Sequence, residues 1–153
     1  MKIWVDADAC PGAIKDLIIR AGRRLKTLVV FVANKFISIP DSFYISTVRI
    51  GMEPEAVDGY IAENSRPDDI AVTQDIPLAS ILVAKGVVVI TPHGAVLTEE
   101  NVRERLSVRN FMQDIREAGG ITPGPKQFSQ RHKQRFSDAL DRELTKSMRR
   151  KTS

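Results

Sequence analysis

Short apolar runs alternate with segments of helical periodicity through the first 90 residues of the chain. Five runs predict strands, at residues 2–5, 27–32, 43–50, 69–73 and 87–90. Between them, apolar residues at helical spacing predict helices at 12–25, 53–64 and 77–85. Because strands that alternate with helices form parallel sheets, we expect an α/β protein with a parallel sheet of about five strands and helices on both faces.

The C-terminal third adds two predicted helices, at 98–117 and at about 128–150. Thr98 is a suitable N-cap for the first. The second carries an apolar stripe at every fourth position, which predicts that one face docks on the protein body: Phe128, His132, Phe136, Leu140, Leu144 and Met148. The glycine- and proline-rich stretch 119–125 is typical of a connecting loop, so we expect residues 1–153 to form a single domain.

Charge is distributed unevenly along the chain. Residues 1–100 carry 10 Lys and Arg against 13 Asp and Glu, a net charge of −3, whereas residues 101–153 carry 13 against 6, a net charge of +7. Nucleic acid is a partner that suits both parts, because basic side chains release counterions from phosphates and carboxylates can hold a divalent metal ion. The candidate contacts are Arg131, Lys133 and Arg135. A solvated basic helix without a partner is the alternative.

Nothing in the sequence indicates a membrane or export. No apolar run approaches the roughly 20 residues that cross a bilayer. The N-terminus also lacks the charged, apolar and small-residue zones of a signal peptide. We therefore expect a cytoplasmic protein, and the single Cys10 agrees with a reducing compartment. His93 and His132 are too isolated in the sequence to suggest a zinc site.

Aspartates follow two of the predicted strands. Asp6 and Asp8 come directly after the first strand in VDADACP, Asp75 follows the fourth in VTQDIPLA, and Asp58 lies in the helix between. The carboxyl ends of parallel strands share one edge of a sheet, where ligands bind in α/β proteins. Like charges repel there unless a cation neutralises them. The pattern therefore predicts a Mg²⁺ or Mn²⁺ site that involves all four carboxylates.

Each aspartate also has a purely structural interpretation. Asp8 and Asp75 can each cap the helix that follows, and Asp58 can be an exposed helical residue. Capping explains each residue separately but does not predict that they share one edge. Two neighbouring side chains are auxiliary candidates: Asn34, to orient water or phosphate, and Thr73, to hydrogen-bond a carboxylate.

The stretches VDADACP, AVDGYIAEN, DIAVTQDIPLA and GGITPGPKQF closely resemble the bacterial YaiI/YqxD family over nearly the whole chain. A second similarity is to PIN-like domains, which are metal-dependent ribonucleases with a parallel α/β sheet. Their pattern has one Asp at the end of the first strand, one before an Ile-Ala stretch in a helix and one in Thr-x-Asp. Here those positions are Asp6, Asp58 and Asp75.

The PIN-like resemblance implies a PIN-like fold and a nuclease that hydrolyses RNA, or less readily DNA, by metal-activated water. PIN-like domains usually carry a further acidic residue on a helix between the first and second aspartates. Between Leu17 and Met52 this chain has only Asp41, and Asp8 is the candidate substitute.

Two other functions stay open. Phosphatases of the haloacid dehalogenase type also begin with Asp-x-Asp after a strand, with Asp6 as the nucleophile here. Ala9-Cys10 supplies no Thr at the expected place, however, and Asp68-Asp69 precedes a strand instead of following one. The third possibility is a nucleic-acid-binding protein without catalysis, in which the basic helix binds the partner.

Overall fold

The computed structural model describes residues 1–53, 55–120 and 128–152, with side chains up to residue 150. In these ranges, six strands form one sheet in the order β3-β2-β1-β4-β5-β6. They are β1 (Lys2–Asp6), β2 (Leu28–Ala33), β3 (Ile45–Arg49), β4 (Ile70–Val72), β5 (Val88–Ile90) and β6 (Val96–Leu97). The first five are parallel and β6 is antiparallel to β5. The predicted parallel sheet is confirmed, and the two-residue β6 was too short to predict.

Five α-helices accompany the sheet in the described ranges: α1 (Gly12–Arg24), α2 (Ala56–Asn64), α3 (Ile76–Lys85), α4 (Glu99–Glu117) and α5 (Gln130–Thr152). A 3₁₀ turn, Ala7–Ala9, joins β1 to α1. All five predicted helices are present, with ends displaced by three residues or fewer. Most of the predicted loop at 119–125 lies outside the described residues, as does Pro54 near the predicted start of α2.

Helices cover both faces of the sheet. One core contains Ile3 and Val5 from β1 and packs against α1 and α5. The other contains Trp4 and packs against α2, α3 and α4. Successive side chains of a strand point to opposite faces, so a strand buried on both sides is apolar throughout. The predicted α/β class is therefore confirmed, and the architecture is consistent with a PIN-like fold.

The strand order creates a crevice between β1 and β4. β1 continues towards α1 on one face, whereas β4 continues into α3 on the other. Chain segments that leave neighbouring strands towards opposite faces open the crevice in which α/β proteins bind ligands. The register pairs Val5 with Val72, so the next residues, Asp6 and Thr73, lie side by side at its mouth.

The opposite, amino end of the same two strands is held by Asp69. Its buried carboxylate accepts hydrogen bonds from the backbone N–H of Lys2 at 3.0 Å, from Nε1 of Trp4 at 3.0 Å and from the backbone N–H of Arg66 at 2.9 Å. Three donors compensate a buried carboxylate for the water it loses. Asp69 therefore stabilises the fold, at the end of the sheet remote from Asp6.

Helix α5 docks through Phe136, Leu140 and Leu144, which are all buried. The predicted stripe is wrong at Met148, which is 47% exposed, whereas Ser147 is buried. A four-residue repeat advances about 40° per step relative to a helix of 3.6 residues per turn. The buried line therefore shifts one position earlier by the last turn.

Candidate functional site

Thr73 joins the ends of β1 and β4. Its hydroxyl donates a hydrogen bond to Oδ2 of Asp6 at 2.9 Å and accepts one from the backbone N–H of Asp75 at 3.0 Å. Thr73 and Asp6 are both buried, and Asp6 retains only 9% of its surface. The predicted contact between Thr73 and a carboxylate is present, and it orients Asp6 at the mouth of the crevice.

Asp75 is the N-cap of α3. Its Oδ1 accepts a hydrogen bond from the backbone N–H of Leu78 at 2.8 Å. The capping interpretation is therefore correct for Asp75, but it does not exhaust this side chain. A carboxylate offers about four acceptor positions on two oxygens, and Asp75 also lies within hydrogen-bonding reach of the Asp58 carboxyl group, an interaction that raises the pKa of Asp58.

Asp58 lies in the first turn of α2 and is half-buried, so the fully exposed alternative is wrong. Its pKa is raised to about 7, chiefly by burial, then by the hydrogen bond and negative charge of Asp75 and by the charge of Asp6. The pKa of Asp6 is also raised, chiefly by burial, although the bond from Thr73 opposes this change. The three carboxylates therefore act on one another, and a cation would relieve their repulsion.

Asp8 is engaged elsewhere. Its Oδ2 accepts a hydrogen bond from the backbone N–H of Asn34 at 2.9 Å. Rotating the Asn34 amide lets its nitrogen donate to the same oxygen at 2.7 Å and to Oδ1 at 3.2 Å. The N-cap of α1 is Pro11, with no side-chain cap, so the capping alternative for Asp8 is wrong. Asp8 adds negative charge near Asp6, and Asn34 lies beside it.

The donor chemistry suits a hard divalent cation. Among residues 1–53, 55–120 and 128–150, no group of three or more His, Cys, Asp or Glu side chains is arranged to hold a metal ion. Asp58 and Asp75 are in direct contact, with Asp6 close enough to perturb Asp58. Mg²⁺ commonly binds one or two carboxylates and keeps several waters. The carboxyl pair fits that requirement, since a cation between the two groups would relieve the repulsion of their charges.

Two pockets flank the turn at Asp75. The acidic pocket, about 410 Å³, is lined by Asp58, Asp75 and Glu55, together with Arg109 of α4. The basic pocket, about 470 Å³, lies on the other side of the turn and has the following polar side chains in its lining: Gln74, Thr91, His93, Arg105, His132 and Arg135. The turn therefore separates a carboxylate site from a site rich in hydrogen-bond donors.

Two arginines and two histidines of these pockets were not predicted from the sequence as site residues. Arg105 and Arg109 lie on α4, where two charged residues on an ordinary surface helix carry no special signal. His93 and His132 are isolated in the sequence, but their ring centroids lie 4.4 Å apart. Helix α5 places His132 over the turn that carries His93, a proximity no sequence spacing indicates.

The three basic residues predicted to contact nucleic acid do not share one surface. Arg135 lines the basic pocket. Lys133 is half-buried and lines a separate groove with Leu17 of α1. Arg131 is exposed. Only Arg135 of this set is near the carboxylates, and nucleic-acid binding by the three residues stays a prediction.

Thiol chemistry has no support at this edge. Cys10 is buried, and burial raises the pKa of its thiol to about 12. A thiol that stays protonated at neutral pH is a poor nucleophile and a poor metal ligand. Cys10 packs into the core on the α1 face of the sheet.

Similarity to known proteins extends over the whole site. The model of the uncharacterized BCR, YaiI/YqxD family matches residues 4–146, from β1 to most of α5. The chain belongs to the YaiI/YqxD family. This confirms the resemblance found in the sequence. Asp6, Asp58 and Asp75 all lie within the part of this YaiI/YqxD protein that the family model covers.

Curated relatives of this YaiI/YqxD protein match along almost their full length. A UPF0178 protein of Syntrophobacter fumaroxidans is 69% identical over 146 residues, 95% of each chain. UPF0178 proteins of Myxococcus xanthus and Psychromonas ingrahamii are 58% and 42% identical, and the alignments cover at least 95% of each chain. No solved structure gives a significant match. These names state a family and no activity.

The part of the chain that the structure describes contains no candidate membrane-spanning helix. None of its helices combines the length and the apolar character that a bilayer crossing requires.

Proposed function

We propose that this YaiI/YqxD protein is a metal-dependent nuclease that hydrolyses phosphodiester bonds, with RNA as the preferred substrate. The observation that carries the proposal is the convergence of Asp6, Asp58 and Asp75. They come from β1, from α2 and from the residue before α3, at the crevice between β1 and β4. The negative charges of Asp6 and Asp75 raise the pKa of Asp58, and the charge of Asp75 raises the pKa of Asp6. Capping or surface solvation does not require three carboxylates in one place.

Asp58 and Asp75 would hold Mg²⁺ or Mn²⁺, with Asp6 close by. When bound, such an ion supplies an activated water and stabilises the leaving oxygen of a phosphoryl displacement. The pKa of Asp58, about 7, means that it gives up its proton readily at neutral pH when a cation approaches. Thr73 keeps Asp6 in one orientation through its hydrogen bond.

Arg109 supports the assignment of an anionic substrate to the acidic pocket. Arg109 lines the same pocket as Asp58 and Asp75. A scissile phosphate carries negative charge that carboxylates alone would repel, so a cation on the facing helix favours its approach. The preference for RNA over DNA rests on the resemblance to PIN-like ribonucleases.

The test joins metal binding to turnover. Mn²⁺ is titrated calorimetrically into the metal-free protein, and cleavage of a fluorescein-labelled single-stranded RNA is followed with and without Mn²⁺. The site variant is Asp58→Asn/Asp75→Asn, because Asn caps a helix as well as Asp does and the fold is retained. The matched control is Asp138→Asn on α5, which is exposed and bonded only to Gln134 among the described residues.

We expect saturable Mn²⁺ binding and Mn²⁺-dependent cleavage in the native protein and in Asp138→Asn, and loss of both in the site variant. If the protein binds RNA in a salt-dependent manner but never cleaves it, the nuclease proposal is wrong and the protein is a nucleic-acid-binding protein. Fluoroberyllate binding that depends on Asp6 would favour the phosphatase instead.

A further inference from the structure

We propose that the basic pocket binds a second phosphate of the substrate strand, adjacent to the phosphate at the carboxylates. The identity of the ligand as a nucleic-acid strand rests on the proposed nuclease function. The chemistry of the pocket, an anion site for phosphate, does not.

The lining of the basic pocket is suited to an oxyanion. Two arginines, Arg105 and Arg135, and two histidines, His93 and His132, line it, and none of the described carboxylates does. Gln74 also lines it, but its amide nitrogen already donates a hydrogen bond to the backbone carbonyl of Ala9 at 2.9 Å. Guanidinium binds phosphate through two parallel N–H bonds, which gives both affinity and orientation. Four donor side chains from three separate chain segments therefore surround one volume.

Neither arginine is committed to another group. Within the described chain, Arg105 and Arg135 make no ion pair or side-chain hydrogen bond. Arg103, two residues from Arg105 on α4, behaves differently and lies 3.8 Å from Glu99. The guanidinium groups that line the pocket are thus available to a ligand.

A hydrogen bond at Nδ1 of His132 determines which ring nitrogen can donate to a ligand. Its Nδ1 accepts a hydrogen bond from the backbone N–H of Ser129 at 3.1 Å. In a neutral imidazole the other nitrogen then carries the proton, so Nε2–H is the donor that remains. This tautomer suits an anionic ligand and does not suit a metal ion at Nε2.

The turn after β5 and helix α5 approach each other closely at the basic pocket. Gly94 has a φ of 95°, and a Cβ at this position would lie 2.5 Å from Cβ of Arg135 and 2.8 Å from the backbone nitrogen of Phe136. The turn that carries His93 therefore contacts α5 at the residue that supplies one guanidinium. Prearranged donors bind an anion with little ordering cost.

The spacing of the two pockets suits two neighbouring phosphates of one nucleic-acid strand. Gln74 and Ile76 line the basic pocket, whereas Asp75 between them lines the acidic pocket. Arg105 and Arg109 lie one turn apart on α4, about 6 Å along the helix axis, and each lines a different pocket. A strand that places one phosphate near Arg109 can place the next near Arg105.

The chain offers a direct probe, because His93 and His132 are its only two histidines. Inorganic phosphate is titrated into metal-free protein at fixed pH, and the ring carbon–proton signals are followed by NMR after assignment with His93→Gln and His132→Gln. Sodium chloride at matched ionic strength is the reference. The pocket variant is Arg105→Gln/Arg135→Gln, and Arg103→Gln/Arg142→Gln removes equal charge from the same helices.

We expect phosphate to shift both histidine signals saturably, with a dissociation constant at least about tenfold larger in the pocket variant and unchanged in the control. A short oligouridylate should produce the same shifts at lower concentration. The anion site would be overturned if sodium chloride shifted the histidine signals as much as phosphate does. It would also be overturned if the pocket variant and the control variant lost the shifts to the same extent. If phosphate shifts the signals and oligouridylate does not, the pocket binds phosphate but not a nucleic-acid strand. If circular dichroism shows the pocket variant unfolded, Arg105→Gln alone decides.

This experiment separates the inference from the proposed function. It uses no metal and no turnover, and the Asp58→Asn/Asp75→Asn protein should give the same shifts with phosphate. Phosphate binding without Mn²⁺ binding or cleavage would support the anion site and overturn the nuclease. Cleavage without saturable shifts would support the nuclease and overturn the basic pocket as a phosphate site.

Discussion

The hydroxyl of Thr73 donates to Oδ2 of Asp6 at 2.9 Å, across 67 residues of sequence. The hydroxyl oxygen of Thr73 also accepts a hydrogen bond from the backbone N–H of Asp75. One buried hydroxyl therefore sets the positions of two of the three converging carboxylates. Its removal affects both the stability of the crevice and the orientation of the acidic groups around it.

Thr73→Val removes this link with little change of volume. The Asp6 carboxylate and the Asp75 N–H each lose a buried partner, so we expect a loss of about 1–3 kcal/mol in the free energy of unfolding and weaker Mn²⁺ binding. Thr73→Ser, which keeps the hydroxyl, should retain most of both. Urea denaturation and calorimetry measure the two effects. Equal stability of the Val and Ser variants would show that the hydroxyl does not hold the crevice together.

Asp58 makes the stability of the metal-free protein depend on pH. Its pKa is raised from an ordinary value of 3.8 to about 7 in the folded protein, so the folded state binds the proton more tightly than the unfolded chain does. This contribution is fully present below about pH 4 and is lost as pH rises through about 7.

Asp58→Asn abolishes that dependence, because Asn keeps a donor for Asp75 without a charge. Relative to the native protein, we expect the variant to gain on the order of 1–2 kcal/mol between pH 5 and pH 8. The gain is smaller than the shift alone suggests, since solvent screens a half-exposed group. Urea denaturation in chelator measures it, with Asp138→Asn as the control. A constant difference at both pH values would contradict the raised pKa.

Substitutions of Asp75 separate its capping role from its place in the carboxylate cluster. Asp75→Asn keeps the bond to the Leu78 N–H, whereas Asp75→Ala loses it. We expect the Ala variant to be about 0.5–2 kcal/mol less stable than the Asn variant, and both to lose Mn²⁺ binding. Both remove the same charge, so their difference reports the cap alone. Normal Mn²⁺ binding in Asp75→Asn would exclude this carboxylate as a ligand.

Asp69 lies at the opposite end of the sheet from the carboxylate site, so its substitution should affect stability and not metal binding. Asp69→Ala leaves three donors without their acceptor, including the buried Nε1 of Trp4, and we expect a loss on the order of 3 kcal/mol in the free energy of unfolding. Trp4 is the only tryptophan, so its fluorescence reports the change directly. Mn²⁺ affinity of the folded variant should be unchanged, and a parallel loss would connect Asp69 to the site.

Much of the site could be predicted from strand ends. Asp6 and Asp75 follow predicted parallel strands, Thr73 ends one of them, and the carboxyl ends of such strands share an edge. That reasoning needs only local apolar runs. The same local evidence was insufficient for Asp8, because its partner, the Asn34 backbone, follows β2 and is reached only when β1 and β2 pair.

The basic pocket could not be predicted from the sequence. His93 follows β5, Arg105 belongs to α4, and His132 and Arg135 belong to α5. Each is unremarkable in its local sequence. Their proximity depends on how α5 docks, and that docking follows from Phe136, Leu140 and Leu144 filling the core on the α1 face.

By itself, the sequence determined the order and type of the helices and the five parallel strands, because apolar periodicity and helix caps act over a few residues. It also determined which aspartates follow strands. Only the tertiary structure decided that β1 lies beside β4, that Asp58 contacts Asp75 with a pKa near 7, and that two histidines meet beside two arginines. Those relationships join residues remote in the chain, so they depend on packing and burial, which act only once the sheet and its helices have assembled.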